Sequence, residues 1–147
     1  MIKEVRIRAA GSADVEAISQ VLRSCGLPGS NIDPSSRLYG LAVLREKVIG
    51  CASGEMHGET VVVHAAAVLD EYRGHQVATH LVRAILMRAR ASGCSRAAVV
   101  TADHPAFFAR FGFTLTALDD MAQEMQLSKE FLRRFGARTH YMCRRLD

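Results

Sequence analysis

No stretch of this 147-residue sequence reaches the roughly 18 to 20 apolar residues that a bilayer-spanning helix requires. The opening residues, Met1-Ile2-Lys3-Glu4-Val5-Arg6, alternate charged with apolar side chains and lack the hydrophobic centre of a secretory signal. No membrane partner is therefore expected, and a cytoplasmic setting is the default. Internal repeats and low-complexity segments are absent as well. The four cysteines, Cys25, Cys51, Cys94 and Cys143, form neither a CxxC pair nor a zinc-ligand spacing, so free thiols and no metal are expected. The net charge of +4 is too small to point to nucleic acid, although it would steer an anionic ligand.

What is present suits one domain spanning residues 1–147, with 49% hydrophobic and 23% charged residues around one substantial core. Elements of α and β type alternate. Val5 to Arg8 alternates like a first strand. Ser12 is placed to cap a helix on which Val15, Ile18, Leu22 and Cys25 share a face, and Gly26-Leu27-Pro28-Gly29 ends it. Ser30 to Arg37 reads as a loop or short helix. Leu38–Arg45 and Lys47–Glu55 read as a hairpin about Glu46-Lys47. Val61–Leu69 is apolar except at His64, the pattern of a central strand covered on both faces. Gln76 to Ala91 carries Val77, Leu81, Ile85 and Ala89 on one helical stripe and closes at Ser92-Gly93. Arg96 to Thr101 is the next strand. Asp103 and Pro105 open a short helix through Phe107, Phe108 and Phe111 to Gly112, while Phe113–Thr116 and Thr139–Arg144 are the last strands. A helical insertion is expected between Gln123 and Arg134.

The most telling junction is Ala65 to Leu81, where an apolar run passes through a short polar turn straight into a helix. The first amides of a helix lack intrahelical partners and lie at its positive dipole end, so an anion can be held there by backbone alone. Arg73 adds a fixed positive charge, and Gly74 permits close approach.

With this order of elements, two segments carry a family resemblance. Tyr72-Arg73-Gly74-His75-Gln76-Val77-Ala78 is similar to the pyrophosphate loop of the Gcn5-related N-acetyltransferases, the GNAT superfamily. About 30 residues on, Phe107-Phe108-Ala109-Arg110-Phe111-Gly112-Phe113 resembles that family's helix-to-strand signature. The fold implied is α/β (α+β): a mixed, mostly antiparallel sheet of six to seven strands flanked by about four helices, with the fourth and fifth strands splayed. The implied activity is acetyl-CoA-dependent transfer of an acetyl group to a primary amine of a small molecule, and the implied assembly is a homodimer. Softer marks, Cys25-Gly26-Leu27-Pro28, the Phe107-Phe108 pair and Tyr141 to Leu146, resemble small amino-acid N-acetyltransferases. By the same resemblance, the cofactor would contact Ala67, Val68, Arg73, Gly74, His75, Gln76, Val77, Ala78, Thr79, Phe107, Phe108 and Arg110.

The sequence departs from the family twice. Gln76 stands where the loop usually has a glycine; its amide remains a donor, so binding is expected to survive if the position needs no positive φ. Phe108 stands where a tyrosine usually protonates the departing thiolate. A thiolate whose acid has a pKa of about 8.5 leaves readily without that donor, but Phe108 and Gln76 together motivate a second reading, a catalytically weak CoA-binding sensor or partner-binding module.

Attack by a neutral amine needs a base and an oxyanion donor. His64 is the candidate base, with an unperturbed pKa of about 6.5; a core histidine satisfied by a carbonyl is the other reading. The amide of Ala67, or that of Val68, would be the oxyanion donor by resemblance. His75, His104, Glu55, Glu59 and Glu71 are weaker candidates. Tyr39 and Tyr141 are placed to frame an acceptor pocket. An amino-acid carboxylate would need a cation, and Arg37, Arg45 and Arg138 are the candidates.

Overall fold

The computed structural model describes residues 4–101, 105–115 and 140–146. Within them, seven strands form one sheet in the order β1-β2-β3-β4-β5-β7-β6. The strands are β1 (Val5–Ala9), β2 (Leu38–Leu44), β3 (Lys47–His57), β4 (Thr60–Val68), β5 (Arg96–Thr101), β6 (Thr114–Leu115) and β7 (His140–Arg145). Every neighbouring pair is antiparallel except β4 and β5. The helices are α1 (Val15–Ser24), α2 (Val77–Ala91) and the short α3 (Pro105–Ala109). The mixed sheet with its parted fourth and fifth strands is the architecture expected.

Strand alternation sends successive side chains to opposite faces, and the two long helices use both. Tyr39, Leu41 and Cys51 pack with Ile18 and Val21 of α1, whereas Ala42, Ala52, Val61 and Val63 pack with Leu81, Val82 and Ile85 of α2. Each fully buried Leu or Ile on α2 contributes about 1.5–3 kcal/mol. Close approach of α2 depends on Gly54, where a Cβ would lie 2.8 Å from Ile85 Cγ2 and 2.9 Å from Val61 Cγ2.

β3 and β4 form a hairpin with His57 opposite Thr60, so the turn is the two-residue Gly58-Glu59. Ser53 pairs with His64 but Cys51 pairs with Ala67, so one residue of β3, Ala52, faces two of β4. This bulge at Ala65-Ala66 switches the faces of the strand: Ala67 packs on the α1 side, whereas Ala66 and Val68 pack on the α2 side.

Several boundaries differ from expectation. Ser12 does not cap α1; it opens a 3-10 turn, Ser12–Asp14, and Asp14 occupies the N-cap of α1. The Asp14 carboxylate accepts from Gly11 N–H at 2.9 Å and pairs with Arg8 at 2.8 Å, which fastens that turn to β1. The β2–β3 turn falls at Arg45-Glu46, one residue earlier than Glu46-Lys47, because Leu44 pairs with Lys47; both turn residues are left-handed, with φ of 50° and 75°. α3 stops at Ala109 instead of running to Gly112, and Gly112 has φ 86°, which turns the chain towards β6. Asp103, His104, Thr116, Arg138, Thr139 and the helical insertion at Gln123–Arg134 lie outside the described residues.

Candidate functional site

The β4–β5 ladder runs from Thr60 opposite Arg96 only as far as Val63 opposite Val99, although β4 continues for five residues more, to Val68. His64 is the first residue past the parting and the last before the bulge. From His64 to Val68 the β5-facing edge of β4 has no strand hydrogen-bonded to it among the described residues. Unpaired main-chain groups on such an edge suit an extended, amide-bearing ligand. The Val68 carbonyl is already engaged, however, by Arg73 Nε at 3.1 Å and by the Cys25 thiol at 3.5 Å. A ligand on this edge would use other backbone groups.

Beyond Val68 the chain makes a single 3-10 turn, Asp70–Tyr72, then passes Arg73 and Gly74 into α2. Gly74 has φ 82°, and Gln76, the N-cap residue of α2, has φ 63°. The position does need a positive φ, so the proviso attached to Gln76 is not met. A non-glycine residue in the left-handed region costs about 1–2 kcal/mol. The loop nevertheless closes with Gln76 in place. No side chain caps this end of α2, and its first turn carries no acidic residue. The first helical bond runs from His80 N–H to the Gln76 carbonyl at 3.2 Å, which leaves the amides of Val77, Ala78 and Thr79 ahead of it. These features fit a pyrophosphate. Arg73 also pairs with Asp70 at 2.6 Å, and His75 is exposed.

Ser53, Glu55 and His57 of β3 project to the same side as Cys51, the α1 side. There Glu55 becomes the centre of a cluster. Its Oε2 lies 3.2 Å from His64 Nε2 and 3.2 Å from an Arg37 guanidinium nitrogen, and its Oε1 lies 3.2 Å from His57 Nε2. Burial, with the Arg37 charge close by, pulls His64 below the ordinary imidazole pKa; the Glu55 carboxylate acts in the opposite sense without offsetting them. A neutral His64 at pH 7 can accept a proton.

The structure thus brings together His64, Glu55 and Arg37 from the expected candidates, and adds His57, which had not been singled out. The missed signal was register: once Gly58-Glu59 is a two-residue turn, Glu55 and His64 stand on adjacent strands diagonal to one another. Other candidates lie apart. Arg45 pairs with Glu4 on the open surface at 3.1 Å. Glu71 and Glu59 are exposed, and the Glu59 carbonyl accepts from Ser95 and Arg96 N–H. Tyr39 and Tyr141 are buried. His104 and Arg138 lie outside the described residues.

On α3, Phe108 is buried and meets Phe107 and Phe113 edge-on at 5.0 and 5.8 Å between centroids. Phe107 is half-buried and Arg110 exposed. The cysteines are free, as expected, and the Cys51 thiol is pushed up to about 12 by burial and by Cys25 nearby. A thiol so placed is a packing group, not a nucleophile.

The parallel pair thus parts beside a bulge and leads into an uncapped helix start. Residues 10–113 match the Acetyltransferase (GNAT) family, and the chain belongs to that family. Similar solved structures hold coenzyme A, consistent with acetyl-CoA as the cosubstrate. No curated protein sequence matches the chain. Among solved structures, N-acetylglutamate synthase from Neisseria gonorrhoeae, complexed with coenzyme A and N-acetyl-glutamate, aligns with a TM-score of 0.83 at 21% identity over 100% of this chain and 36% of that one. The GNAT family N-acetyltransferase YhbS from Escherichia coli, in complex with CoA, gives 0.77 at 22% identity over 100% and 84%. Rv2747 from Mycobacterium tuberculosis, also with CoA, gives 0.76 at 22% over 94% and 97%. The chain spans about a third of the length of the N-acetylglutamate synthase chain. Among the described residues, no helix is long and apolar enough to cross a membrane.

Proposed function

We propose that this chain transfers the acetyl group of acetyl-CoA to the primary amine of a small molecule, an amino acid or a close relative, by direct attack on the thioester. One observation carries the reading: β4 parts from β5 immediately after Val63, at the residue, His64, whose imidazole is held below its ordinary pKa by burial. In this reading, the pyrophosphate rests on the amides of Gly74 to Thr79 with Arg73 beside it. The pantetheine arm lies along the open edge of β4 towards Ala67 and Val68, with Phe107, Phe108 and Arg110 closing its far side. His64 takes the proton from the acceptor ammonium, and the amide of Ala67 or Val68 receives the oxyanion. Main-chain donors aimed at developing charge need no reorganisation during the reaction.

Arg37 supports an acceptor with a carboxylate, since its guanidinium lies beside the Glu55–His64 pair and remains partly exposed. The test is a panel of amino acids, polyamines, aminoglycosides and N-terminal peptides, with release of free CoA as the readout. An amine that raises CoA release above the acceptor-free rate supports transfer. Phe108 favours a second reading, because it can donate no proton to the departing thiolate. If acetyl-CoA binds and no amine accelerates its turnover, the chain is a CoA-binding sensor or partner-binding module. Assembly as a homodimer is proposed on the family tendency alone, and light scattering tests it.

A further inference from the structure

One hydrogen bond, from His64, and two ion-pair contacts, from Arg37 and His57, converge on a single carboxylate at this site. We infer that Glu55 is a positioning residue, which holds the His64 ring through Nε2–H and leaves Nδ1 as the atom that accepts the acceptor's proton. The inference rests on the acetyl-transfer reading and deepens it.

A carboxylate paired with arginine only accepts hydrogen bonds, so the nitrogen facing it must carry the hydrogen. His64 Nε2 lies 3.2 Å from Glu55 Oε2, which assigns the proton of the neutral ring to Nε2 and the lone pair to Nδ1. Among the described residues no other hydrogen bond holds that ring. The ion-pair contacts of His57 at Oε1 and Arg37 at Oε2 hold the carboxylate in place beside His64. Glu55 projects from β3 and His64 from β4, so the ladder fixes the spacing between them. Glu55 also works against the burial and the Arg37 charge that reduce the basicity of His64, and His57 adds slightly to the reduction. These three groups are the charged or titratable partners of His64 among the described residues.

The experiment titrates the His64 ring by NMR in the wild-type chain, in Glu55→Gln and in Arg37→Gln, beside pH profiles of kcat/KM for the best acceptor. Glutamine keeps the shape and removes the charge. The His64 pKa is expected to fall in E55Q and to rise in R37Q, with the acid limb of kcat/KM moving the same way. The wild-type ring, when neutral, is expected to carry its hydrogen on Nε2. Activity of E55Q is expected to drop about 10- to 100-fold, the scale seen when a carboxylate that orients a histidine ligand is lost. Glu55→Asp, which restores the charge on a shorter stem, is expected to recover the direction of the pKa. Turnover with a His64 pKa unmoved in E55Q would overturn the role of Glu55 and leave acetyl transfer standing. A shifted pKa with no turnover on any amine would overturn the transfer reading, and the positioning role with it.

Discussion

Val63 of β4 and Val99 of β5 form the last pair of the parallel ladder, and the next residue on β4 is His64. The sheet thus ends its hydrogen bonding and presents a titratable side chain within one residue. A polar group at that point stays half-buried, because the two valines close the core behind it while the parting opens in front.

Replacement of His64 by alanine removes the proposed base while leaving the turn before α2 untouched. General-base catalysis typically contributes about 10²- to 10⁴-fold, so H64A should lose kcat/KM on that scale with little change in acetyl-CoA affinity. Because burial and Arg37 depress the His64 pKa, the base stays unprotonated to a lower pH than an ordinary histidine. Activity should hold through neutrality and fall only below the usual imidazole value of about 6.5. Steady-state rates between pH 5 and 8 check this; an acid limb set above pH 7 would contradict it.

Much of this arrangement was legible in the sequence, for identifiable reasons. The stripe Val77, Leu81, Ile85 and Ala89 places α2 because helical periodicity is a local property. The apolar run around His64 places β4 because a strand covered on both faces has little polar choice. The bulge at Ala65-Ala66 was not legible, since three alanines in succession carry no face preference of their own. The Glu55 cluster stayed hidden because it depends on cross-strand register. The left-handed Gln76 escaped because glutamine has no preference for that region, and tertiary packing of the loop overrides its cost.

That left-handed geometry makes Gln76 a sharp stability probe. Gln76→Gly removes the Cβ conflict, worth about 1–2 kcal/mol, but gives back about 0.4–1 kcal/mol through a more flexible unfolded chain. The net expectation is a small stabilisation. Gln76→Val places a β-branched side chain at φ 63° and should destabilise instead. Urea unfolding of the two variants beside the wild type orders them; equal midpoints for Q76V and Q76G would contradict the geometry.

Gly54→Ala tests the approach of α2 to the sheet. The added methyl would stand 2.8 Å from Ile85 Cγ2 and 2.9 Å from Val61 Cγ2, inside any normal carbon contact. Both neighbours are fully buried, so neither can move into open space. Overpacking of this kind costs about 1–3 kcal/mol. Denaturant unfolding should show the loss in G54A.

At the other end of the sheet, Arg8 grips both oxygens of Asp14 at 2.8 and 3.0 Å, and the Arg8 hydrogen bonds, with that from Gly11 N–H, lower the Asp14 pKa to about 2. A carboxyl whose folded pKa lies below its unfolded value stabilises the fold above the unfolded value of about 3.9. That contribution fades as pH falls towards 2. Asp14→Asn should therefore flatten the acid side of the stability curve between about pH 4 and pH 2 while changing neutral stability by about 1 kcal/mol or less, because Arg8 is half exposed. Thermal melts across that range check the sign.

Arg37 carries the strongest prediction about the acceptor. Its guanidinium contacts Glu55, so removing it alters both the proposed carboxylate contact and the basicity of His64. The second effect is common to every acceptor, whereas the first acts only on acceptors that bear a carboxylate. Comparing an amino acid with its amide therefore cancels the shared part. In the wild type, the acid should be preferred over the amide; in Arg37→Gln, the ratio of their kcat/KM values should collapse. A charge-assisted bond is worth about 1.5–3 kcal/mol, so the preference at stake is roughly 10- to 150-fold. A ratio that survives the substitution would move the carboxylate to another cation and leave Arg37 as a partner of Glu55 alone.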